Sequence, residues 1–233
     1  MTHFHRALIT ATFASVTALA APAALAQAPA DPTIYVVTYI EVMPAATAEA
    51  GGLLKQVAAS SRKETGNQRY DILGRIERTN QFAILETWSD LKVAEAHASG
   101  TAMKQFRDKL KPLQTGPYDE RPSIGIAVTA APVAAAKGSI YAITHVDVTP
   151  ATKDDCIAML KKLAEETRKD PNSERFEAWQ QNNRANHFTV TEIWKDRPAI
   201  DGHIVAASTR DFREKLGPMS GALYDERLYQ SVE

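Results

Sequence analysis

Two stretches decide how this chain is read: ETWSDLKVAEAH, Glu86 to His97, and EIWKDRPAIDGH, Glu192 to His203. Trp194 follows Trp88, and His203 follows His97, by the same 106 positions. Without a gap, that shift also lays Ile34-Tyr35 over Ile140-Tyr141, Thr38 over Thr144, Arg62-Lys63 over Arg168-Lys169 and Arg69 over Arg175. It lays Asn80-x-Phe82 over Asn186-x-Phe188 and ends with Tyr118-Asp119-Glu120-Arg121 over Tyr224-Asp225-Glu226-Arg227. Self-similarity at one fixed offset marks an internal duplication. Repeat 1 covers residues 34–126, an Ala-rich linker residues 127–138, and repeat 2 residues 139–233.

Working outward from Trp88, IYVVTYIEV (34–42) alternates as a strand, with Tyr35, Val37, Tyr39 and Glu41 on one face and Ile34, Val36, Thr38, Ile40 and Val42 on the other. Both faces are partly apolar, so both are expected to be covered. Glu49 to Glu64 reads as a helix stopped by Gly66-Asn67. RYDILGRIER and QFAILETW read as strands around a Thr79-Asn80 turn. A helical stretch from Asp90 to about Leu110, broken near Ser99-Gly100, and a strand from Tyr118 to Ala127 complete the unit. Strand, helix, strand, strand, helix, strand is the ferredoxin-like βαββαβ order, an antiparallel sheet with helices on one face. The bare face of such a sheet needs a cover, and a second copy supplies one. The expected fold is therefore α+β: two ferredoxin-like repeats packed sheet to sheet as an intramolecular α+β barrel, a pseudo-dimer within one chain. A further homo-oligomer stays open.

The repeats are preceded by MTHFHRALITATFASVTALAAPAALA, with Arg6, an apolar stretch to about Leu19 and a closing Ala24-Leu25-Ala26. That is the layout of a signal peptide (1–26) cleaved after Ala26, with residues 27–33 as a flexible lead. The expected location is periplasmic or secreted, with no membrane anchor after cleavage. Cleavage removes one of the 27 Lys and Arg residues and none of the 28 Asp and Glu, leaving a formal charge of −2. Such a chain carries no electrostatic footprint for nucleic acid. The single cysteine, Cys156, lies on an apolar helical stripe and is expected to be a small buried hydrophobe.

Strand periodicity puts Phe82, Ile84, Glu86 and Trp88 on one face, and Phe188, Val190, Glu192 and Trp194 repeat the pattern. A carboxylate among aromatics on a covered face must be paired or protonated. Two readings follow: a base of raised pKa that takes a proton from a phenol-like substrate, or an ion pair with a neighbouring-strand arginine such as Arg121 or Arg227. Trp88 and Trp194 fill core or wall a pocket. His97 and His203 pack on the following helix or orient a substrate oxygen there. No H-x-x-x-H or H-E-x-x-H pair appears among His97, His145, His187 and His203, and no Gly-rich phosphate loop follows a strand, so neither metal nor cofactor is expected.

A first strand ending in V-x-P, a later F-x-x-x-E-x-W and a His nine residues after the Trp resemble the antibiotic biosynthesis monooxygenase (ABM) domain of the dimeric α+β barrel superfamily, over nearly all of both repeats. The haem-degrading branch uses a first-strand Asn, a helical Trp and a later His; here Thr38 and Thr144, His97 and His203, and Arg107 and Arg213 stand at those places. The polyketide branch uses an Asn and a Tyr where this chain has Ile84 and Val190, then Ala94 and Ile200. What remains is most similar to the quinol monooxygenase type. The resemblance implies an exported, cofactor-independent monooxygenase acting on a small aromatic or quinol-like substrate with O2. Its catalytic candidates are Glu86, Trp88, His97, Glu192, Trp194 and His203, and its substrate-binding candidates Thr38, Tyr39, Tyr70, Thr144, His145, Phe176 and Trp179. The alternative is a non-catalytic periplasmic small-molecule binding or stress protein. Tyr39 pairs with His145, Tyr70 with Phe176 and Leu73 with Trp179 under the duplication, so the two pockets are expected to differ.

Overall fold

The computed structural model describes Met1 and residues 32–129 and 135–232. The expected signal peptide, most of the flexible lead and the middle of the Ala-rich linker lie outside the described residues. Asp31–Glu233 forms one compact unit.

Repeat 1 folds as β1 (Ile34–Glu41), α1 (Thr47–Ser61), β2 (Asn67–Arg75), β3 (Gln81–Trp88), α2 (Leu91–Ser99), α3 (Thr101–Leu110) and β4 (Asp119–Ala127). Repeat 2 follows as β5 (Ile140–Asp147), α4 (Lys153–Thr167), β6 (Ser173–Gln181), β7 (His187–Trp194), α5 (Arg197–Ile204), α6 (Ala207–Leu216) and β8 (Asp225–Ser231). Several residues retained by the duplication turn out to shape these elements. Asp90 and Asp196 cap α2 and α5, accepting from Val93 N and Ala199 N at 2.9 Å each. Asn80 and Asn186 tie each hairpin turn to the end of the first strand, donating to Val42 O at 2.8 Å and Val148 O at 2.7 Å. Arg62 Nε donates to Tyr70 O at 2.9 Å and Arg168 Nε to Phe176 O at 3.2 Å, fastening the first helix of each repeat to the sheet.

Helix α1 stops at Ser61, three residues short of the expected Glu64, because Lys63 N and Glu64 N turn back to Ser60 O and Ser61 O in a tighter turn. Gly66 then takes φ +88°, and a Cβ there would meet Ser89 Oγ at 2.7 Å. The break between α2 and α3 falls at Gly100, with φ −65° and ψ 158°, and Ala206 adopts φ −61° and ψ 149° at the matching place. The kink belongs to the fold and does not require glycine.

The eight strands close into a barrel in the order β1-β3-β2-β8-β5-β7-β6-β4. Each repeat contributes one four-stranded sheet, and the sheets are also joined edge to edge. At one seam β4 pairs with β6, opposing Ser123 to Gln181; at the other β2 pairs with β8, opposing Leu73 to Ser231. Every neighbouring pair is antiparallel, so β1 and β5, four steps apart, run the same way and their C-terminal ends share one mouth of the barrel.

Both strand faces are covered, as the double alternation requires. The barrel interior holds Tyr35, Val37, Leu73, Ala83 and Leu85 from repeat 1 and Tyr141, Ile143, Trp179, Ile193 and Tyr229 from repeat 2. Tyr35 stacks on Trp179 across the repeats with ring centroids 5.2 Å apart. At about 1.5 to 3 kcal/mol per large side chain removed from water, this shared core binds each repeat to the other. The outward face of each sheet packs on its own helices, with Trp88 in one such layer and Trp194 in the other. Cys156 is fully buried there, and desolvation pushes its thiol up to about 12.

Candidate functional site

Because β3 alternates, Glu86 and Trp88 point away from the barrel interior into the layer between sheet and helices. Glu86 lies opposite Val36 of β1 and Tyr70 of β2. Its Oε2 accepts from Trp88 Nε1 at 2.8 Å and stands 3.6 Å from His97 Nε2. His97 comes from the last turn of α2, stacks on Trp88 with centroids 4.4 Å apart, meets Tyr70 edge-on, and contacts Glu64 Oε2 through Nδ1 at 2.9 Å. Glu86 is 3% exposed and Trp88 fully buried. Burial pushes the Glu86 carboxyl up to about 8; the Trp88 donor opposes this, Glu120 and Glu64 add to it, and Arg107 lowers it.

Around this pair, Thr38 Oγ1, Tyr70 Oη, Tyr118 Oη and His97 Nε2 are buried and complete no hydrogen bond of full geometry among the described residues, although Thr38 faces Tyr118 and Ser61 faces Tyr70 closely enough to lower each phenol's pKa in part. Such atoms cost stability unless another partner meets them. Burial raises the Tyr70 and Tyr118 phenols well above their usual range, and the Glu86 carboxylate adds to both shifts. Arg107 closes one side, donating to Ala98 O at 2.5 Å with its guanidinium 5.8 Å from the Tyr118 ring centre.

Repeat 2 reproduces the centre and changes the rim. Glu192 Oε2 accepts from Trp194 Nε1 at 2.8 Å and lies 3.3 Å from His203 Nε2, and burial pushes Glu192 up to about 8. Asp170 replaces Glu64 and is shorter; His203 sits instead beside Thr209 Oγ1, at 3.4 Å and 3.3 Å from its two ring nitrogens. Burial, with the Arg213 charge, pulls His203 down to about 4. Phe176 removes the hydroxyl that Tyr70 supplies, and Arg213 Nη2 pairs with Glu226 Oε2 at 2.8 Å.

The structure separates the sequence candidates by face. Thr38, Tyr70, Glu86, Trp88 and His97 come together in repeat 1, and Thr144, Phe176, Glu192, Trp194 and His203 in repeat 2. Tyr39, His145 and Trp179 lie on the opposite face, inside the barrel. Arg121 and Arg227, the arginines expected as partners for the glutamates, also point inward. Arg121 Nη2 meets Asp119 Oδ2 at 2.6 Å and Arg227 Nε meets Asp225 Oδ1 at 3.0 Å, so that ion pair with Glu86 or Glu192 is not made. Both guanidiniums lie over Tyr39, at 5.0 Å and 5.2 Å, beside a cavity of about 160 Å³ at the barrel mouth.

Among the described residues His145, Asp147 and His187 converge, with ligand atoms within 4.8 Å of one another, a grouping outside the metal-binding spacings considered in the sequence. Helical H-x-x-x-H spacing cannot find them, since Asp147 and His187 are strand partners in the β5–β7 register. The sequence also assigned no role to Glu64, Tyr118 and Glu120. The repetition of Tyr-Asp-Glu-Arg at the end of each repeat was the available signal for Tyr118 and Glu120, whose side chains alternate with those of Asp119 and Arg121 between the two faces.

Comparison with known proteins gives a match to the family described as antibiotic biosynthesis monooxygenase over residues 33–109 and 139–215, one segment in each repeat. The chain is 31% identical over 81 residues to a Bacillus subtilis protein named putative monooxygenase YcnE, spanning 35% of this chain and 85% of that relative. It is 24% identical over 101 residues to the uncharacterized Synechocystis protein sll1783, spanning 43% of this chain and 69% of that one. Among solved structures, a putative monooxygenase from Fusobacterium nucleatum has a TM-score of 0.76 at 15% identity, over 86% of this chain and 93% of its own. An anthrone oxidase-like protein has a TM-score of 0.70 at 12% identity, over 87% and 92%. At these identities the structural likeness is one of fold.

Proposed function

The chain belongs to the antibiotic biosynthesis monooxygenase family, and from that premise we propose that it is an exported monooxygenase that oxidises a small aromatic or quinol-like substrate with O2 without a dedicated cofactor. The observation that carries this reading is the buried cluster around Glu86 in repeat 1. There a buried glutamate of raised pKa lies beside a histidine, against a tryptophan wall, with three hydroxyls lacking well-formed hydrogen bonds around it. A phenol or quinol offers an acidic proton, a flat ring and oxygens to meet those hydroxyls.

In this mechanism Glu86, once ionised as pH rises toward about 8, acts with His97 to accept the substrate's hydroxyl proton, relayed toward Glu64 through His97 Nδ1. The quinolate, held away from water, is electron-rich enough to reduce O2 itself. One oxygen atom bonds to the ring carbon, the O–O bond breaks, and the other atom leaves as water. Quinol plus O2 becomes hydroxyquinone plus water, so the substrate supplies all the electrons. The Ala-rich leader before Ala26 supports placing this chemistry outside the cytoplasm.

A second reading, a binding or stress protein of the same fold, is favoured by the closure of the cleft, since Trp88 is fully buried and substrate entry must move side chains. Oxygen uptake by the purified protein against a panel of hydroquinones and naphthoquinols, after chelation of metals, separates the two. Uptake above the spontaneous rate that is lost in Glu86→Gln supports the oxygenase. Absence of uptake across the panel would move the assignment to binding.

A further inference from the structure

We propose that His145, Asp147 and His187 form a binding site for a divalent first-row transition-metal ion inside the mouth of the barrel, on the inward face of the repeat 2 sheet, whose outward face carries Glu192. Alternation places His145 and Asp147 on the inward face of β5, and the β5–β7 register sets His187 directly across from Asp147. Asp147 Oδ1 lies 2.9 Å from His145 Nε2 and 2.5 Å from His187 Nδ1. With either imidazole protonated these contacts are ion pairs, but neither has hydrogen-bond geometry, and Asp147 Oδ1 and His187 Nδ1 are buried without a hydrogen-bond partner among the described residues. With both imidazoles neutral, a cation at the point where the three groups converge takes the place of that proton. Ligand atoms around a tetrahedral ion with bonds of about 2.0 to 2.1 Å stand about 3.3 Å apart, so the two His–Asp contacts need to open by less than about 1 Å, and all three ligand atoms already lie within 4.8 Å of one another.

Two imidazoles and one carboxylate suit Fe2+, Co2+ or Zn2+ and leave coordination positions for water or a ligand. The neighbouring cation is compensated. Arg121 Nη1 stands 3.0 Å from His145 Nδ1 and 3.1 Å from its Nε2, so metal binding has to turn this guanidinium away from Nε2, while Asp119 engages the same guanidinium through Nε at 3.0 Å and Nη2 at 2.6 Å. The duplication supplies an internal control, because repeat 1 carries Tyr39, Glu41 and Gln81 at the matching positions, with Glu41 opposite Gln81 in the register. The same scaffold therefore holds a ligand set on one side and a non-ligating set on the other.

The test is titration of the untagged, chelator-stripped full chain with Co2+, followed by visible absorption, and with Zn2+, followed by calorimetry. One equivalent of each is expected to bind, with a ligand-field band for Co2+ that disappears in His145→Tyr and in His187→Gln, each checked for folding by circular dichroism. Lack of stoichiometric binding by the unaltered chain would overturn the site. So would binding unchanged in both variants, which would place the ion elsewhere, for example at His3 and His5. Should either variant fail to fold, NMR of the unaltered protein decides: Co2+ must shift the His145 and His187 imidazole signals, and shifts confined to other histidines overturn the proposal.

Discussion

The two buried Glu-Trp-His clusters share a centre and differ in the residues around it, which separates what the fold needs from what the chemistry needs. Trp donating to a buried Glu, with a His ring stacked on the Trp, is kept in both halves at nearly the same distances. Around that core, repeat 1 keeps Tyr70 and the Glu64 partner of His97, whereas repeat 2 has Phe176, a shorter Asp170 and an Arg213 to Glu226 pair across the rim. Repeat 1 thus presents the Tyr70 and Tyr118 hydroxyls as well as that of Thr38, whereas repeat 2 leaves Thr144 Oγ1 and Arg213 Nε unpartnered among the described residues.

The sharpest way to break this comparison is activity. Glu86→Gln is expected to lower turnover by about 10²- to 10⁴-fold, the range for loss of a positioned base, while Glu192→Gln changes it by less than about threefold. Equal losses in steady-state kinetics would make the halves equivalent.

Stability against pH comes next. Each glutamate has a folded pKa of about 8, above its ordinary value of 4.5, so the folded state holds its proton longer than the unfolded chain does. That contribution is fully present below pH 4.5 and is lost as pH rises to 8 and beyond. The double variant Glu86→Gln/Glu192→Gln should flatten the decline in Tm across that window, by an amount worth on the order of a few kcal/mol. An unchanged Tm profile would deny the shared burial of the two carboxyls.

Trp88→Phe and Trp194→Phe each leave a buried carboxyl without its donor and should each cost about 1 to 3 kcal/mol in urea unfolding. A clear inequality would show that the two centres are less alike than their distances. Tyr70→Phe, which gives repeat 1 the rim of repeat 2, should reduce kcat/KM by about tenfold, equivalent to one lost hydrogen bond. The smallest effect is local: Asp170→Glu should raise the His203 pKa from about 4, as read by NMR titration, by restoring the carboxylate reach that His97 has. A His203 titration that does not move would mean side-chain length is not what separates the two histidines.

Much of this was legible in the residues. The constant offset exposed the duplication, period-two alternation assigned Glu86 and Trp88 to one face, and Asn80 and Gly66 marked a turn and a helix stop, while the capping role of Asp90 emerged only from the structure. The partners of Glu86 were not legible. Arg121 sits on a strand beside β1 and was a reasonable candidate, but its own alternation turns it inward, and the carboxyl is met instead by the indole two residues along and a helix histidine. Tyr39, His145 and Trp179 were grouped with the cleft because they differ between repeats, although their odd-numbered strand positions put them inside the barrel.

The sequence by itself determined the repeat unit, its element order and which side chains share a face, because these depend on local periodicity and on one copy being compared with the other. Only the tertiary structure decided how the two sheets join. Pairing β4 with β6 and β2 with β8 fixes which residues meet inside the barrel. The gathering of His145, Asp147 and His187, and the differing surroundings of His97 and His203, were likewise decided there, because strand register and helix docking bring together atoms that are distant along the chain and that no short spacing in the sequence records.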